Sequence, residues 1–107
     1  MTKYQLAPMF FALSDPTRFA VVERLCRGGA SVSELQRPFK MATPTFLRHL
    51  QILEEAGLVH SEKNGRVRTV ALRGKSLVAV EKWAAHLRRE AEARLDRLED
   101  YIKTKED

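Results

Sequence analysis

Between Ser31 and Leu72 this 107-residue chain is punctuated so densely by helix starts, helix stops and a turn signal that few backbone paths remain. Ser31 stands three residues before Glu34, the spacing at which two side chains cap each other's backbone N–H at a helix start. That spacing predicts a short helix, Val32-Ser33-Glu34-Leu35-Gln36, and Pro38 ends it. A turn from Pro38 to Ala42 leads to Thr43-Pro44, read as a side-chain cap followed by proline at the first helical position. The helix that begins there carries Phe46, Leu50 and Leu53 at the spacing of one buried face, with Thr45, Arg48 and Gln51 mainly on the other side. Gly57 stops it. Leu58 to Glu62 and Arg66 to Leu72 then flank Lys63-Asn64-Gly65, where asparagine followed by glycine is the strongest short hairpin signal.

The consequence is an architecture. Two helices across a tight turn, the second with a polar and cationic outer face, precede a two-stranded ribbon with a basic tip. That is the layout of a winged helix-turn-helix, mainly α with a small β-hairpin, whose second helix reads DNA. The helix-turn-helix is expected over 31–56 and the wing over 58–72, within a single domain of 107 residues.

Charge and cysteine content narrow the partners. A formal net charge of +5 favours a polyanion without naming one. Cys26 is the single cysteine, so the chain alone forms no disulfide or multi-cysteine metal cage, and a reducing, cytoplasmic setting is expected. With no partner thiol in the chain, Cys26 is read as a small buried hydrophobe. The apolar run from Ala7 to Leu13 is short and contains Pro8, so neither a signal peptide nor a membrane span is expected there.

The two ends have more apolar surface than the middle can cover. Residues 1–13 include Leu6, Met9, Phe10, Phe11 and Leu13, and part of this surface is expected to face a second subunit. Ser14-Asp15-Pro16 predicts a cap and a helix to about Arg27 that buries Phe19, Val22, Leu25 and Cys26 before Gly28-Gly29. After Arg73-Gly74-Lys75, a helix is expected from about Ser76 to Lys103, with fraying from Lys103 to Asp107. Its apolar stripe runs through Leu77, Val80, Ala84, Leu87, Ala91, Leu95, Leu98 and Ile102, and Trp83 widens it. Such a helix spans roughly 40 Å, longer than the preceding domain. The expected dimer interface is therefore Met9 and Phe10 near the start with Trp83, Leu87, Ala91, Leu95 and Leu98 in the last helix. Trp83 is read as packing, with a small-molecule cleft beside His86 as the alternative. The mixed charges of Arg88, Arg89, Glu92, Asp96, Arg97, Glu99 and Asp100 read as a solvated face.

Three segments together, at their spacing, carry a resemblance. Ala12-Leu13-Ser14-Asp15-Pro16-Thr17-Arg18, then Arg48-His49-Leu50-Gln51-Ile52-Leu53-Glu54-Glu55-Ala56-Gly57-Leu58-Val59, then the Asn-Gly-Arg wing resemble the ArsR/SmtB family of bacterial repressors, over nearly the whole chain. The resemblance implies a homodimer joined through its first and last helices, binding a palindromic operator and repressing transcription until a signal lowers its affinity. The chain departs from the family at Ala42, where the recognition helix usually opens with serine, and at Leu47, where a small polar residue usually precedes Arg-His-Leu. Some family members sense metals through Cys-x-Cys before the recognition helix. Ser31-Val32-Ser33 stands there instead, and hydroxyls are poor ligands for soft metals. His86 has no Asp-x-His before it. No metal site, no cofactor and no enzymatic activity are expected, and these motifs name no effector.

The residues expected to meet double-stranded DNA are Thr43, Thr45, Phe46, Arg48, His49 and Gln51 of the helix and Lys63, Arg66 and Arg68 of the wing. Arg48 suits guanine or phosphate, Gln51 suits adenine, and Thr43 and Thr45 suit phosphate or base edges. His49 and His60 are read as packing or phosphate-contacting residues, since nothing chelating lies four residues away. The alternative reading is a winged-helix interaction module that has lost specific DNA binding, for which Leu47 and the missing sensor sites speak. Against it stands the convergence of Arg48, Lys63, Arg66 and Arg68 on one side. An enzyme would need a nucleophile elbow, phosphate loop or paired carboxylates, and the sequence has none of them.

Overall fold

The computed structural model describes residues 5–106. The sequence expectations for residues 1–4 and for Asp107 lie outside them. The elements follow as α1 (Leu6–Leu13), α2 (Pro16–Leu25), β1 (Ala30–Ser31), α3 (Val32–Gln36), α4 (Thr43–Glu55), β2 (Val59–Asn64), β3 (Val67–Leu72) and α5 (Gly74–Glu106). Contacts divide the chain into a unit ending at Leu77 and a second unit from Val78 onward.

In the first unit the core gathers Met9 and Ala12 of α1, Val21, Val22 and Leu25 of α2, Leu35 of α3, Phe46, Leu50 and Leu53 of α4, and Leu58, Val59 and Val70 around the sheet. The buried positions of α4 are those its periodicity gives. The expected capping box also forms: Glu34 N–H donates to Ser31 Oγ, and Ser31 N–H to Glu34 Oε1, each at 3.1 Å. Asp15 caps α2 by accepting from Arg18 N–H at 3.0 Å, with Pro16 in the first turn.

Several expectations are corrected. Phe19 is 49% exposed and Cys26 is exposed at the end of α2. The buried stripe of α2 runs one residue away, through Arg18, Val21, Val22 and Leu25, because the guanidinium of Arg18 is drawn into the core by acceptors described below. Met9 is completely buried against its own chain and offers nothing to a second subunit. The residue that caps α4 is Ala42, which has no side-chain acceptor. Thr43 is already helical, and its Oγ1 instead accepts from Gln36 Nε2 at 3.1 Å, while the same nitrogen donates to the Met41 carbonyl at 3.3 Å. Gln36 thereby ties the end of α3 to the start of α4 across the turn.

The wing is also larger than a two-stranded ribbon. β1 pairs antiparallel with β3, Ala30 opposite Val70 and Ser31 opposite Thr69, giving the order β1-β3-β2. In the hairpin, Asn64 lies opposite Val67, so Gly65-Arg66 forms the loop, one residue later than expected. Gly65 has φ +66° and Arg66 does not share a positive φ, the sense of a type II′ turn. At the other end of β2, α4 closes on Gly57 at φ 79°, with Gly57 N–H donating to the Glu54 carbonyl and Leu58 N–H to that of Leu53, both at 3.0 Å. This is a Schellman ending, and it needs a residue at ease with positive φ.

The second unit is helix. α5 is 33 residues long, extending beyond both expected ends through Glu106. Its i,i+4 pairs His86–Glu90, Arg88–Glu92 and Glu99–Lys103, at 3.4 to 3.9 Å, supply side-chain links along that length. Trp83, Leu87, Leu95, Leu98, Tyr101 and Ile102 are exposed on it. Among the described residues no helix is long and apolar enough to cross a membrane.

Candidate nucleic-acid interface

The strands of the wing alternate their faces, and that alternation builds the site. Val59, Ser61 and Lys63 of β2 share a face with Leu72, Val70 and Arg68 of β3. Val59 and Val70 are buried near the base of this face. Towards the tip the same face runs clear of the core, and Lys63 and Arg68 stand directly opposite each other there. Between them and α4 lies a groove of about 740 Å³, lined by Thr43, Leu47, Gln51 and Glu54 of α4, by Lys63, Arg66 and Arg68 of the wing, and by Ser31 to Ser33 at the start of α3. Glu54 accepts a hydrogen bond from Ser61 Oγ at 3.3 Å, linking helix and strand along the groove floor.

Like charges opposite each other on neighbouring strands repel. Among the described residues none of Arg48, Lys63, Arg66 or Arg68 forms a salt bridge. In the groove Lys63, Arg66 and Arg68 outweigh the single carboxylate of Glu54, and this excess of positive charge lowers its free energy by meeting an anion.

Of the residues expected at the interface, Thr43, Gln51, Lys63, Arg66 and Arg68 come together in the groove. Thr45 and Arg48 are exposed on α4 outside the groove lining. Arg48 lies about 100° around the helix from Leu47 at 3.6 residues per turn. Two expectations are corrected. Phe46 is fully buried and stacks on Phe39 with ring centroids 5.8 Å apart, so it shapes the back of α4 and meets no ligand. His49 points inward as well, because its Nδ1 lies 3.0 Å from Arg18 Nη1.

Arg18 is the residue that the sequence pattern did not single out. It is only 7% exposed. Its Nε donates to the Ala12 carbonyl at 2.7 Å, an acceptor at the end of α1, and its Nη2 approaches at 3.4 Å the Phe11 carbonyl, which also accepts from the Ser14 N–H and hydroxyl. The guanidinium also lies 5.5 Å from the centroid of the Phe11 ring. Since arginine only donates, His49 Nδ1 is the acceptor, and the ring carries its proton on Nε2. One side chain thus fastens the α1–α2 corner to the back of the helix that lines the groove. The carboxylate of Asp15 lies 3.8 Å from His49 Nδ1. Burial pushes the Asp15 carboxyl up, but the Arg18 backbone N–H, the neighbouring His49 ring, the Arg18 guanidinium and the Thr17 N–H outweigh it and hold the group below its ordinary value. The signal for this cluster was the Asp-Pro-Thr-Arg segment, whose arginine falls on the same helix stripe as Val22 and Leu25.

Among the described residues no three His, Cys, Asp or Glu side chains gather where a metal could sit. At the place of the family's thiolate pair, the Ser31 hydroxyl is already the α3 cap, and it does not suit a soft metal.

Residues 13–62 match the family described as a helix-turn-helix domain. A crystal structure of an ArsR family transcriptional regulator, RHA00566, has 48% sequence identity and a TM-score of 0.79, the match covering 81% of this chain and 96% of that one. The chain belongs to the ArsR family. A second solved structure of ArsR type, an ArsR-like transcriptional regulator from Rhodococcus sp. RHA1, shares 31% identity at a TM-score of 0.76, covering 87% of this chain and 88% of its own. The HTH-type transcriptional regulator Rv2034 of Mycobacterium tuberculosis is 39% identical over 69 residues, which are 64% of this chain and 64% of that protein. The match thus spans just under two thirds of that relative's length. In this ArsR-family chain the Arg18–His49 fastening joins two of the three segments that carried the family resemblance.

Proposed function

We propose that this protein is a sequence-specific DNA-binding transcriptional regulator, a homodimeric repressor that acts in the cytoplasm on a palindromic operator. The observation that carries the reading is the opposition of Lys63 and Arg68 beside Gln51 and Thr43, an unpaired cationic face next to hydrogen-bonding side chains of one helix. In this reading α4 enters the major groove, Arg48 and Gln51 meet base edges, and Lys63, Arg66 and Arg68 meet the flanking phosphates. Exposed Trp83, Leu87, Leu95 and Leu98 of α5, with Phe10 of α1, support a second copy of the chain as the partner. Two recognition helices related by a two-fold axis call for half-sites about 34 Å apart.

The test is titration of the purified chain against DNA upstream of its own gene, with random duplex as competitor and with zinc and a chelator as paired conditions. Saturable binding of two chains per duplex that survives the competitor and ignores metal is the expected result. Loss of all binding to the competitor would refute sequence reading.

A further inference from the structure

The stripe of α4 that faces the wing reads Thr43, Leu47, Gln51, Glu54, spaced about one turn apart. Leu47 is the exposed hydrocarbon in it, 40% open to solvent between two hydrogen-bonding neighbours. The fold does not require it there. The buried face of α4 is complete with Phe46, Leu50 and Leu53, and Leu47 lies off that face in the groove. Phosphate, sugar hydroxyl and the polar edges of bases gain nothing from a leucine. The one apolar group that a major groove presents is the C5-methyl of thymine.

We propose that Leu47 determines specificity by packing on a thymine methyl in each half-site. The proposal rests on α4 being the major-groove helix. From the groove stripe, the contacted thymine lies beside the base met by Gln51 on the wing side, away from the base met by Arg48. Burying one methyl-sized group corresponds to about a fourfold change in affinity, so two symmetric contacts give about sixteenfold.

The experiment uses the full chain and duplexes that it selects from a randomised pool. A selected duplex is resynthesised with deoxyuridine replacing thymidine at one position at a time, symmetrically in both half-sites. Uracil keeps every polar group and removes only the methyl. Wild type, Leu47→Ala and Leu47→Ser are titrated against each duplex, with thermal unfolding confirming that the variants fold. The expected result is one symmetric position where uracil weakens wild type about sixteenfold, while the variants lose no more than about twofold there. Tolerance of uracil at every position, or equal losses in wild type and variants, overturns the role of Leu47 and leaves the DNA-binding reading intact, since the selected duplex still outcompetes random DNA. A chain that selects no duplex overturns both.

Discussion

Replacing Arg18 with alanine tests whether one buried side chain holds the groove-lining helix in place. The guanidinium makes two close hydrogen bonds, at 2.7 Å to the Ala12 carbonyl and 3.0 Å to His49 Nδ1, and a weaker one at 3.4 Å to the Phe11 carbonyl. Hydrogen bonds from a charged donor each contribute about 1.5–3 kcal/mol, so the close pair amounts to roughly 3–6 kcal/mol. Water entering the vacated space restores part of this, since the end of α1 lies near the surface, and a net loss of about 3 kcal/mol is expected. For a domain of this size that lowers Tm by roughly 10–20 °C. Thermal unfolding followed by circular dichroism, at one fixed protein concentration so that any self-association is constant, reads the shift. Arg18→Lys should recover little, because an ammonium lacks the planar fork that reaches acceptors in two directions. His49→Ala combined with Arg18→Ala should cost less than the sum of the two single changes, because the pair shares one bond. A Tm within about 3 °C of wild type for Arg18→Ala, or strict additivity, would refute the fastening.

Lys63→Thr relieves the repulsion facing Arg68 and should stabilise the free protein by roughly 0.2–1 kcal/mol in urea titrations while weakening DNA binding; a destabilised variant would contradict the cross-strand argument. Arg66→Ala should weaken selected and random duplexes alike and flatten the salt dependence by about one unit, whereas Arg48→Ala should weaken selected duplexes more than random ones, as read by titration at several salt concentrations. Because the Asp15 carboxyl sits below its ordinary value in the folded chain, its stabilisation is present above about pH 4 and is lost as pH falls through the folded value. Asp15→Asn keeps a capping side chain without that titration, so its stability should fall less steeply than wild type between pH 4 and pH 2, and parallel curves would rule Asp15 out as the source.

The helix-turn-helix was legible because each of its boundaries is local. Ser31 and Glu34 cap each other within one turn, and Phe46, Leu50 and Leu53 declare their face by spacing alone. What failed was set by partners distant in sequence. The apolar residues of α2 suggest a core that holds Phe19 and Cys26, but Arg18 claims that stripe through acceptors on α1 and α4. Thr43 looked like a cap until Gln36 engaged its hydroxyl, a contact between two helices that no propensity encodes. β1 is two residues long, too short to show alternation, and exists because β3 offers it an edge. The hairpin loop slipped by one residue because Asn64 pairs with Val67, leaving Gly65 alone to take the positive φ. Within the candidate site, the wing cations and Gln51 were readable from sequence. The inward turn of His49 was not, since it depends on an arginine 31 positions earlier.

The ending of α4 at Gly57 leaves only Ala56, Gly57 and Leu58 between the helix and β2, whose tip carries Lys63, and the Gly57 and Leu58 N–H groups bond this short connection back to the helix. The distance from helix to wing is thus set when the chain folds, and closing on a duplex requires no loop to be ordered at that step. Association is accordingly less burdened by conformational entropy than it would be for a hinged clamp. The same stiffness limits how such a reader could be switched off. A signal that left this joint intact would not splay helix from wing; in the proposed dimer it would have to act on the whole body at once, by tilting or separating the two copies.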